Sequence, residues 1–409
     1  MTIAFLFTIV FVETAGAQWL QWGGPTRDFK SPETGLLDKW PDQGLRPLWV
    51  DQSTGNYATA IVDGNVVYSL YTARDDEEKL LGLDVESGLI VWYFRNAAPA
   101  AKAQKLDFGR GPNATPIVHD GRVIFVGFTG QMWCFTTADT EYAWTHDLVK
   151  EFDAKVHEFG YSISPIIYND NVVTLTGGKK QGAIAFRYDT GSVVWKSAPF
   201  DVSYASPILI KVDGQDQLVV MSSTEVIGLD PQNGKVLWRY PHANNFKNNC
   251  STPVWGDDNL LLISSHADGG SRVLRLKQKG GKTDVREVWH SKEVRFFHST
   301  PIRIGDFVYG SSGDQPPTFF TAVNVKTGKI AWKERGFNKA TCTYADGKMY
   351  ILDEDGKLTL AKVSPEKMTV ISSFKPLEKT AWAAPTIANG RLFVRDQNKI
   401  MAFDIAKKR

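Results

Sequence analysis

A tryptophan that follows a short glycine turn recurs along the chain and restricts the folds open to it. In VNVKTGKIAWKE (residues 323–334), Trp332 stands four residues after Gly328. The same spacing occurs three more times, at Gly88–Trp92, Gly191–Trp195 and Gly234–Trp238. These four tryptophans belong to a longer series in which successive members are 43 to 52 residues apart. The series is Trp49, Trp92, Trp144, Trp195, Trp238, Trp289 and Trp332. Self-similarity with a period of this size is typical of repeat architectures.

Two further markers recur with the same period. A small residue, often followed by Ser or Thr and Pro, opens an apolar run at Ala58, Ala114, Ile163, Ala205, Ser251, Ser299, Ala340 and Ala383. A tight-turn pair of the Asp-Gly type follows at Asp63, Asp120, Asp170, Asp213, Asp258, Gly305, Asp346 and Asn389. Such pairs tolerate positive φ and suit β-hairpins, and the segments between them are short, β-branched and aromatic. Each unit therefore predicts four antiparallel strands.

Four short strands repeated about every 45 residues are typical of a β-propeller blade. Eight opening markers predict an all-β, eight-bladed propeller over residues 46–409, with seven blades as the alternative. The last unit ends before any tryptophan strand, whereas residues 46–50 form a spare one, so we expect this N-terminal strand to close the ring. The seventh unit is irregular, because residues 370–374 stand where its tryptophan strand should be.

The turn-plus-tryptophan element has a physical reason within such a ring. A glycine takes the left-handed conformation that a bulged hairpin requires. A tryptophan just beyond the turn can then lie over the neighbouring blade, burying about 150–250 Å². We expect each of these tryptophans to hold one blade to the next.

The N-terminus predicts export. Residues 3–12 (IAFLFTIVFV) are an apolar run too short to span a bilayer, and Ala15-Gly16-Ala17 is a small-x-small cleavage pattern. We therefore expect a signal peptide at residues 1–17, an arm outside the repeat at residues 18–45, and a periplasmic or extracellular protein. No cysteine follows the apolar run to carry a lipid anchor.

The net charge and the cysteine content restrict the partners and the covalent pairings expected for this chain. The formal net charge is only +2, without a basic stripe, so we predict no nucleic-acid partner. We also predict no transmembrane span and a monomer. Cys134, Cys250 and Cys342 are far apart and odd in number; we expect small apolar fillers in strands and leave their pairing open.

The segment Gly228-Leu229-Asp230-Pro231-Gln232-Asn233-Gly234-Lys235-Val236-Leu237-Trp238 resembles the pyrroloquinoline-quinone (PQQ) repeat, whose consensus is close to ALDxxTGxxxW. The resemblance covers roughly residues 46–405 and includes quinoprotein dehydrogenases, BamB-like assembly propellers and exported PQQ-like proteins. For the dehydrogenase branch it implies PQQ, a Ca²⁺ ion held by Glu, Asn and Asp, and a disulfide of adjacent cysteines. This sequence has no adjacent cysteine pair, and no residue can be matched to the catalytic Asp.

We therefore predict an exported binding or scaffold protein with a protein partner and without a recognised catalytic set, metal or cofactor. Two alternatives are a small-molecule or glycan binder that uses the axial funnel, and a PQQ- and Ca²⁺-dependent dehydrogenase.

The funnel hypothesis names specific residues. Connections that lead into the innermost strands emerge on one face near the axis, so their side chains should rim one pocket. The candidates are Arg110, Asn113, His157, Glu158, Tyr161, Tyr204, Asn249, Arg295, His298 and Trp382. His266 lies in a different connection, which we place on the opposite side of its innermost strand.

Overall fold

The computed structural model shows eight sheets of four antiparallel strands arranged as a ring. It describes residues 18–53, 55, 57–73, 76–102, 104–266 and 268–408. The predicted signal peptide, at residues 1–17, lies outside them. The prediction of eight blades is confirmed, and the seven-bladed alternative is wrong.

The first four blades, with strands given from the axis outward, follow chain order. Blade 1 contains β2 (Ile61–Asp63), β3 (Val66–Thr72), β4 (Glu77–Asp84) and β5 (Ile90–Ala97). Blade 2 contains β6 (Ile117–His119), β7 (Arg122–Val126), β8 (Gln131–Thr136) and β9 (Tyr142–Asp147), followed by helix α1 (Leu148–Phe152). Blade 3 contains β10 (Ile166–Tyr168), β11 (Asn171–Leu175), β12 (Ala183–Arg187) and β13 (Val193–Lys196). Blade 4 contains β14 (Ile208–Val212), β15 (Gln215–Met221), β16 (Glu225–Leu229) and β17 (Val236–Pro241).

The remaining blades complete the ring. Blade 5 contains β18 (Val254–Gly256), β19 (Leu260–Ser264), β20 (Ser271–Lys279) and β21 (Lys282–Ser291). Blade 6 contains β22 (Ile302–Ile304), β23 (Phe307–Ser312), β24 (Phe319–Asn324) and β25 (Ile330–Glu334). Blade 7 contains β26 (Thr341–Ala345), β27 (Lys348–Leu352), β28 (Leu358–Val363) and β29 (Met368–Phe374). Blade 8 contains β30 (Thr386–Ala388), β31 (Arg391–Arg395), β32 (Ile400–Asp404) and the N-terminal β1 (Pro47–Asp51).

The N-terminal strand closes the ring as predicted. β1 pairs antiparallel with β32, so that Trp49 lies opposite Ala402 and Asp51 opposite Ile400. The turn pairs also behave as expected, because they join the first and second strands of the blades with left-handed backbone, as at Asp346 (φ 48°) and Gly347 (φ 72°). Chain ends that would otherwise leave an open blade are thus paired within one sheet.

The fourth-strand tryptophans hold neighbouring blades together, as predicted. Six of the seven indole N–H groups donate to a backbone carbonyl in the outer turn of the next blade, for example from Trp49 to Val85 at 2.8 Å and from Trp144 to Tyr188 at 2.9 Å. The turn glycine is required by the same contact. A Cβ added at Gly191 (φ 71°) would lie 2.7 Å from the Trp144 ring, so glycine is needed for both the backbone and the space.

Two blades depart from this pattern. The third and fourth strands of blade 5 extend to a hairpin at Gly280 and Gly281, and Trp238 of blade 4 donates instead to the side chain of Gln217 at 2.7 Å. In blade 7 the register position of the tryptophan holds Ser372, whose hydroxyl accepts from the backbone N–H of Trp40 at 3.0 Å. The arm thereby supplies to blade 7 the buried indole that its own strand lacks.

The N-terminal arm crosses the axis and contacts the inner parts of most blades. It pairs with blade 1 through Trp19 and Val62 and with blade 7 through Ser31 and Tyr344. Between these points the buried Arg27 donates to the carbonyls of Pro165 and Pro207, each at 3.0 Å, in blades 3 and 4. The ring is therefore blocked near its axis by the chain itself.

The three cysteines are free thiols. Cys134 in β8 and Cys342 in β26 are buried strand residues, as predicted. The prediction is wrong for Cys250, which lies half-buried in the connection before β18, because this connection faces an open cavity. Within the described residues, no helix has the length and apolar character needed to cross a membrane.

Candidate functional site

A cavity of about 1070 Å³ opens on the face of the ring at which the innermost strands begin, here called the upper face. Its wall is formed by connections from several blades, and we call it the funnel. The arm closes its lower end with Trp22, whose indole N–H donates to the hydroxyl of Thr252 at 3.3 Å. A separate cavity of about 780 Å³ lies below the arm, at the far ends of the innermost strands. The funnel is therefore a blind pocket and not a channel.

Ten ring side chains line the funnel in one connected set of contacts. Contacting ring centroids are 4.6–6.0 Å apart, which is within the range of favourable aromatic pairing. From one end to the other the set runs through His157, Tyr204, Phe159, Phe108, Trp382, His298, Phe297, His266 and Phe246, and Tyr57 branches from Trp382. The side chains of Phe108 and Phe246 are 51% and 67% exposed, so apolar ring surface is presented at the mouth.

Phe108 belongs to a long connection between blades 1 and 2 that passes over the mouth. Its carbonyl accepts from the Tyr57 hydroxyl at 2.7 Å and from the Gln397 amide at 3.1 Å. The neighbouring Lys105 forms an ion pair with Glu158 of the next connection at 2.7 Å. This connection thus joins blade 8 to blade 3 across the funnel and places the Phe108 ring between Trp382 and Phe159.

Two imidazoles in the wall are held neutral. Burial lowers the pKa of His298 to about 4, and the nearby Lys339 ammonium acts in the same direction. Burial also lowers the pKa of His157, again with a lysine, Lys155, adding to the effect. The His298 Nε2–H donates to the carbonyl of Asp314 at 3.1 Å, and His157 is hydrogen-bonded to the backbone of Val202. At neutral pH each ring therefore presents its other nitrogen as an acceptor, together with a flat face for stacking.

Several buried polar atoms of the wall have no hydrogen-bond partner among the described residues. They are Asn113 Oδ1, His157 Nε2, Ser162 Oγ, Ser223 Oγ and His266 Nδ1. Ser223 is only 3% exposed. Because buried polar groups are nearly always paired, such a concentration beside one cavity needs a reason. A bound polar molecule would supply the missing partners.

The charges of the wall almost balance. Glu158 pairs with Lys105 at 2.7 Å, and Lys339 pairs with Glu354 at 3.0 Å. Lys155 lies 3.9 Å from Asp201, and Lys247 adds one further ammonium. The funnel therefore does not present a strong field of either sign.

Six of the ten residues named from the sequence line the funnel: Asn113, His157, Glu158, Tyr204, His298 and Trp382. The other four do not line it. The buried Tyr161 donates to the carbonyl of Leu175 at 2.7 Å, and the buried Asn249 donates to that of Ser222 at 2.6 Å. The structure pairs Arg110 with Asp76, and Arg295 with Asp314 at 3.1 Å.

The expected position of His266 is wrong. The second strand of a blade runs antiparallel to the first, so the connection between the second and third strands returns to the upper face. His266 in this connection therefore lines the funnel, with its ring centroid 4.6 Å from that of Phe297. The same geometry brings Ser223 to the wall, and the alternation of strand direction could have located both residues in the sequence.

These observations define an eight-bladed β-propeller of PQQ-type repeats with a blind, ring-lined axial funnel. The sequence profile of the family described as outer membrane protein assembly factor BamB matches residues 103–334, more than half of the chain. The chain belongs to this family. None of the curated proteins compared with it matched significantly.

Solved structures agree on the fold at low sequence identity. BamB from Moraxella catarrhalis aligns with a TM-score of 0.57 and 15% identity, over 89% of this chain and 99% of that chain. Quinohemoprotein alcohol dehydrogenase from Comamonas testosteroni aligns with a TM-score of 0.66 and 11% identity, over 96% of this chain and 81% of that chain. The computationally designed Ika8 protein aligns with a TM-score of 0.57 and 12% identity, over 89% of this chain and all of that chain. These likenesses concern the fold alone.

Quinoprotein dehydrogenases are among the structures of similar fold, but the described funnel residues do not form a Ca²⁺ site. Among the described residues, no group of three His, Cys, Asp or Glu side chains is placed to hold a metal ion. The carboxylates of the wall, Glu158 and Asp201, face lysines instead. Because Ca²⁺ needs several oxygen ligands around one point, this donor set does not fit the ion.

Proposed function

We propose that this chain is an exported β-propeller binding protein of the periplasm or cell envelope, whose ligand enters the funnel. The observation that carries the proposal is the concentration around one cavity of ten contacting rings and of five buried polar atoms that have no partner among the described residues. Small-molecule sites are typically apolar pockets with a few placed polar groups and volumes of about 300–1,000 Å³. The apolar run and cleavage pattern at residues 1–17 support export.

The lower cavity supports this function less well. Most of its charged residues are paired within the wall: Arg303 donates to both oxygens of Asp258 at 2.9 Å, and Lys326 pairs with Asp306 at 2.8 Å. Because these charged side chains already have partners, they are less available to bind a ligand. The funnel is therefore the preferred site.

A screen of small molecules by thermal unfolding tests the funnel, with two variants of its wall. Ser223→Trp fills the cavity, Trp382→Ala removes its largest ring, and Tyr142→Trp changes a side chain that is 62% exposed on β9 as a matched control. We expect ligands that raise Tm in a saturable way in the wild type and the control but not in the funnel variants. Ligands that stabilise all four proteins equally would contradict the proposal.

A protein scaffold is the second candidate, and a specific surface favours it. The outer strands β1 and β5 are neighbours around the ring and expose Leu48, Val50, Ile90, Val91 and Tyr93, and Leu89 is exposed directly before β5. An exposed apolar edge strand can accept an extended segment of another protein. Crosslinking in the envelope should then capture a partner with the wild type and lose it with Val91→Asp, whereas Trp382→Ala should leave the capture unchanged.

A further inference from the structure

We propose that the ligand of the funnel is a short neutral oligosaccharide. This inference rests on the proposed function and adds the chemical class of the ligand. It is derived from four features of the wall: the placement of its rings, its unpartnered polar atoms, its charge balance and its size.

The rings occupy opposite walls of the funnel. Tyr204 precedes β14 in blade 4, and Trp382 precedes β30 in blade 8, so the two lie four blades apart in a ring of eight. Phe108 and Phe159 connect them on one side. A pyranose has flat faces covered with C–H groups, which are weakly positive and pack well on the negative face of an aromatic ring. Opposed rings suit a saccharide because both of its faces can be covered.

The polar atoms require a ligand with many hydroxyl groups. The wall contains hydroxyls at Ser162 and Ser223, an amide oxygen at Asn113, and ring nitrogens at His157 and His266, all buried and without a partner among the described residues. Hydroxyls, imidazole nitrogens and an amide oxygen together form a mixture of donors and acceptors. A sugar hydroxyl both donates and accepts, so it can pair with any of them. A flat aromatic molecule with few polar atoms would leave most of them unpaired, which is unfavourable for buried polar groups.

The charges argue against an ionic ligand. A cation drawn to the rings would meet the Lys339 ammonium, which already lies 5.4 Å from the centre of the Trp382 ring. An anion would meet Glu158, and the lysines beside it and beside Asp201 already have carboxylate neighbours. The further ammonium, Lys247, is exposed, so solvent and salt screen its attraction for an anion. A neutral ligand avoids both costs.

The size of the cavity indicates more than one sugar unit. At about 1070 Å³ it lies at the upper end of the range for small-molecule sites. Its exposed rings, Phe108 and Phe246, stand at the mouth, whereas Trp22 lies at the floor. Stacking surface is thus available along the depth of the funnel, as a chain of several rings would need.

Titration calorimetry with tetrasaccharides tests the inference directly. The probes are cellotetraose, maltotetraose, mannotetraose and tetra-N-acetylchitotetraose, with galacturonic acid and glucosamine tetrasaccharides as anionic and cationic counterparts. We expect saturable binding of at least one neutral probe that is weaker by about tenfold or more in Trp382→Ala and by a few-fold in Ser223→Ala. Tyr142→Ala, on the outer strand, should leave the affinity unchanged.

The possible results separate this inference from the function on which it rests. Tighter binding of a charged tetrasaccharide than of every neutral one would overturn the neutral class, as would sugar binding that neither funnel variant weakens. If no sugar binds but another small molecule stabilises the protein in a Trp382-dependent way, the oligosaccharide is wrong and the funnel remains a ligand site. If no molecule depends on Trp382 or Ser223, both proposals fail.

Discussion

A buried histidine outside the funnel should make the protein sensitive to mild acid. His242 follows β17, is 1% exposed, and neither of its ring nitrogens has a hydrogen-bond partner among the described residues. Burial lowers its pKa from the ordinary 6.5 to about 3, and the neighbouring Arg272 guanidinium and His290 contribute in the same direction. The folded protein therefore keeps this imidazole neutral.

The sign follows from proton binding in the two states. Below a pH of about 6.5 the unfolded chain takes up a proton at His242, whereas the folded chain does so only near pH 3. The contribution of the neutral His242 ring to the unfolding free energy is thus fully present above pH 6.5 and is lost as the pH falls. Between pH 7 and pH 5 the loss from this one residue is about 2 kcal/mol of unfolding free energy.

Urea unfolding of His242→Leu at the two pH values measures this contribution. Leucine cannot bind a proton, and it replaces a ring whose nitrogens make no hydrogen bond, so stability at pH 7 should change by about 1 kcal/mol or less. The fall between pH 7 and pH 5 should be smaller than in the wild type by about 2 kcal/mol. His119→Leu, at a half-buried position on β6, serves as the control. An equal fall in the wild type and His242→Leu would refute the reasoning.

Two more predictions concern the ring and its arm. Gly191→Ala should lower the unfolding free energy more than Gly347→Ala does, by about 1 kcal/mol or more. Both glycines have φ near 71°, but only a Cβ at Gly191 would contact a tryptophan ring. Equal losses in urea unfolding would contradict this role of the tryptophan. Arg27→Met should cost about 2–4 kcal/mol, since it leaves the carbonyls of Pro165 and Pro207 without their donor. Arg95→Met, at a 54% exposed side chain, should cost far less by the same assay.

The blades could be predicted from the sequence because each recurring sequence marker satisfies a local structural requirement. The Asp-Gly pairs are needed where the first two strands of a blade join by a tight turn, and Gly88, Gly191, Gly234 and Gly328 are needed because a tryptophan from the previous blade packs on each of them. These requirements act over a few residues and recur in several blades. The path of the arm could not be predicted in this way. Arg27 finds its partners at Pro165 and Pro207, far along the chain, and this arrangement occurs once.

The candidate site was predicted in part for the same reason. Residues just before the innermost strands, such as His298 and Trp382, could be placed because the opening marker fixes where each strand begins. Tyr161 and Asn249 satisfy the same rule of position, but their side chains turn into the blades, where they find buried carbonyl partners. Position in the repeat therefore predicts which face a residue is on but not which way its side chain points.

Positions that recur in the blades and positions that differ from blade to blade have different roles in this protein. The markers that identify the family, such as Trp195 and its turn partner Gly234, pack between blades and do not line the funnel. The funnel wall instead uses positions that differ from blade to blade, with Tyr204 before β14 and Trp382 before β30. Blade packing uses the repeated positions, so proteins can share the ring without sharing a ligand. Membership of the BamB family therefore accounts for the ring of blades, whereas the ligand proposed for the funnel is inferred from the side chains of its wall.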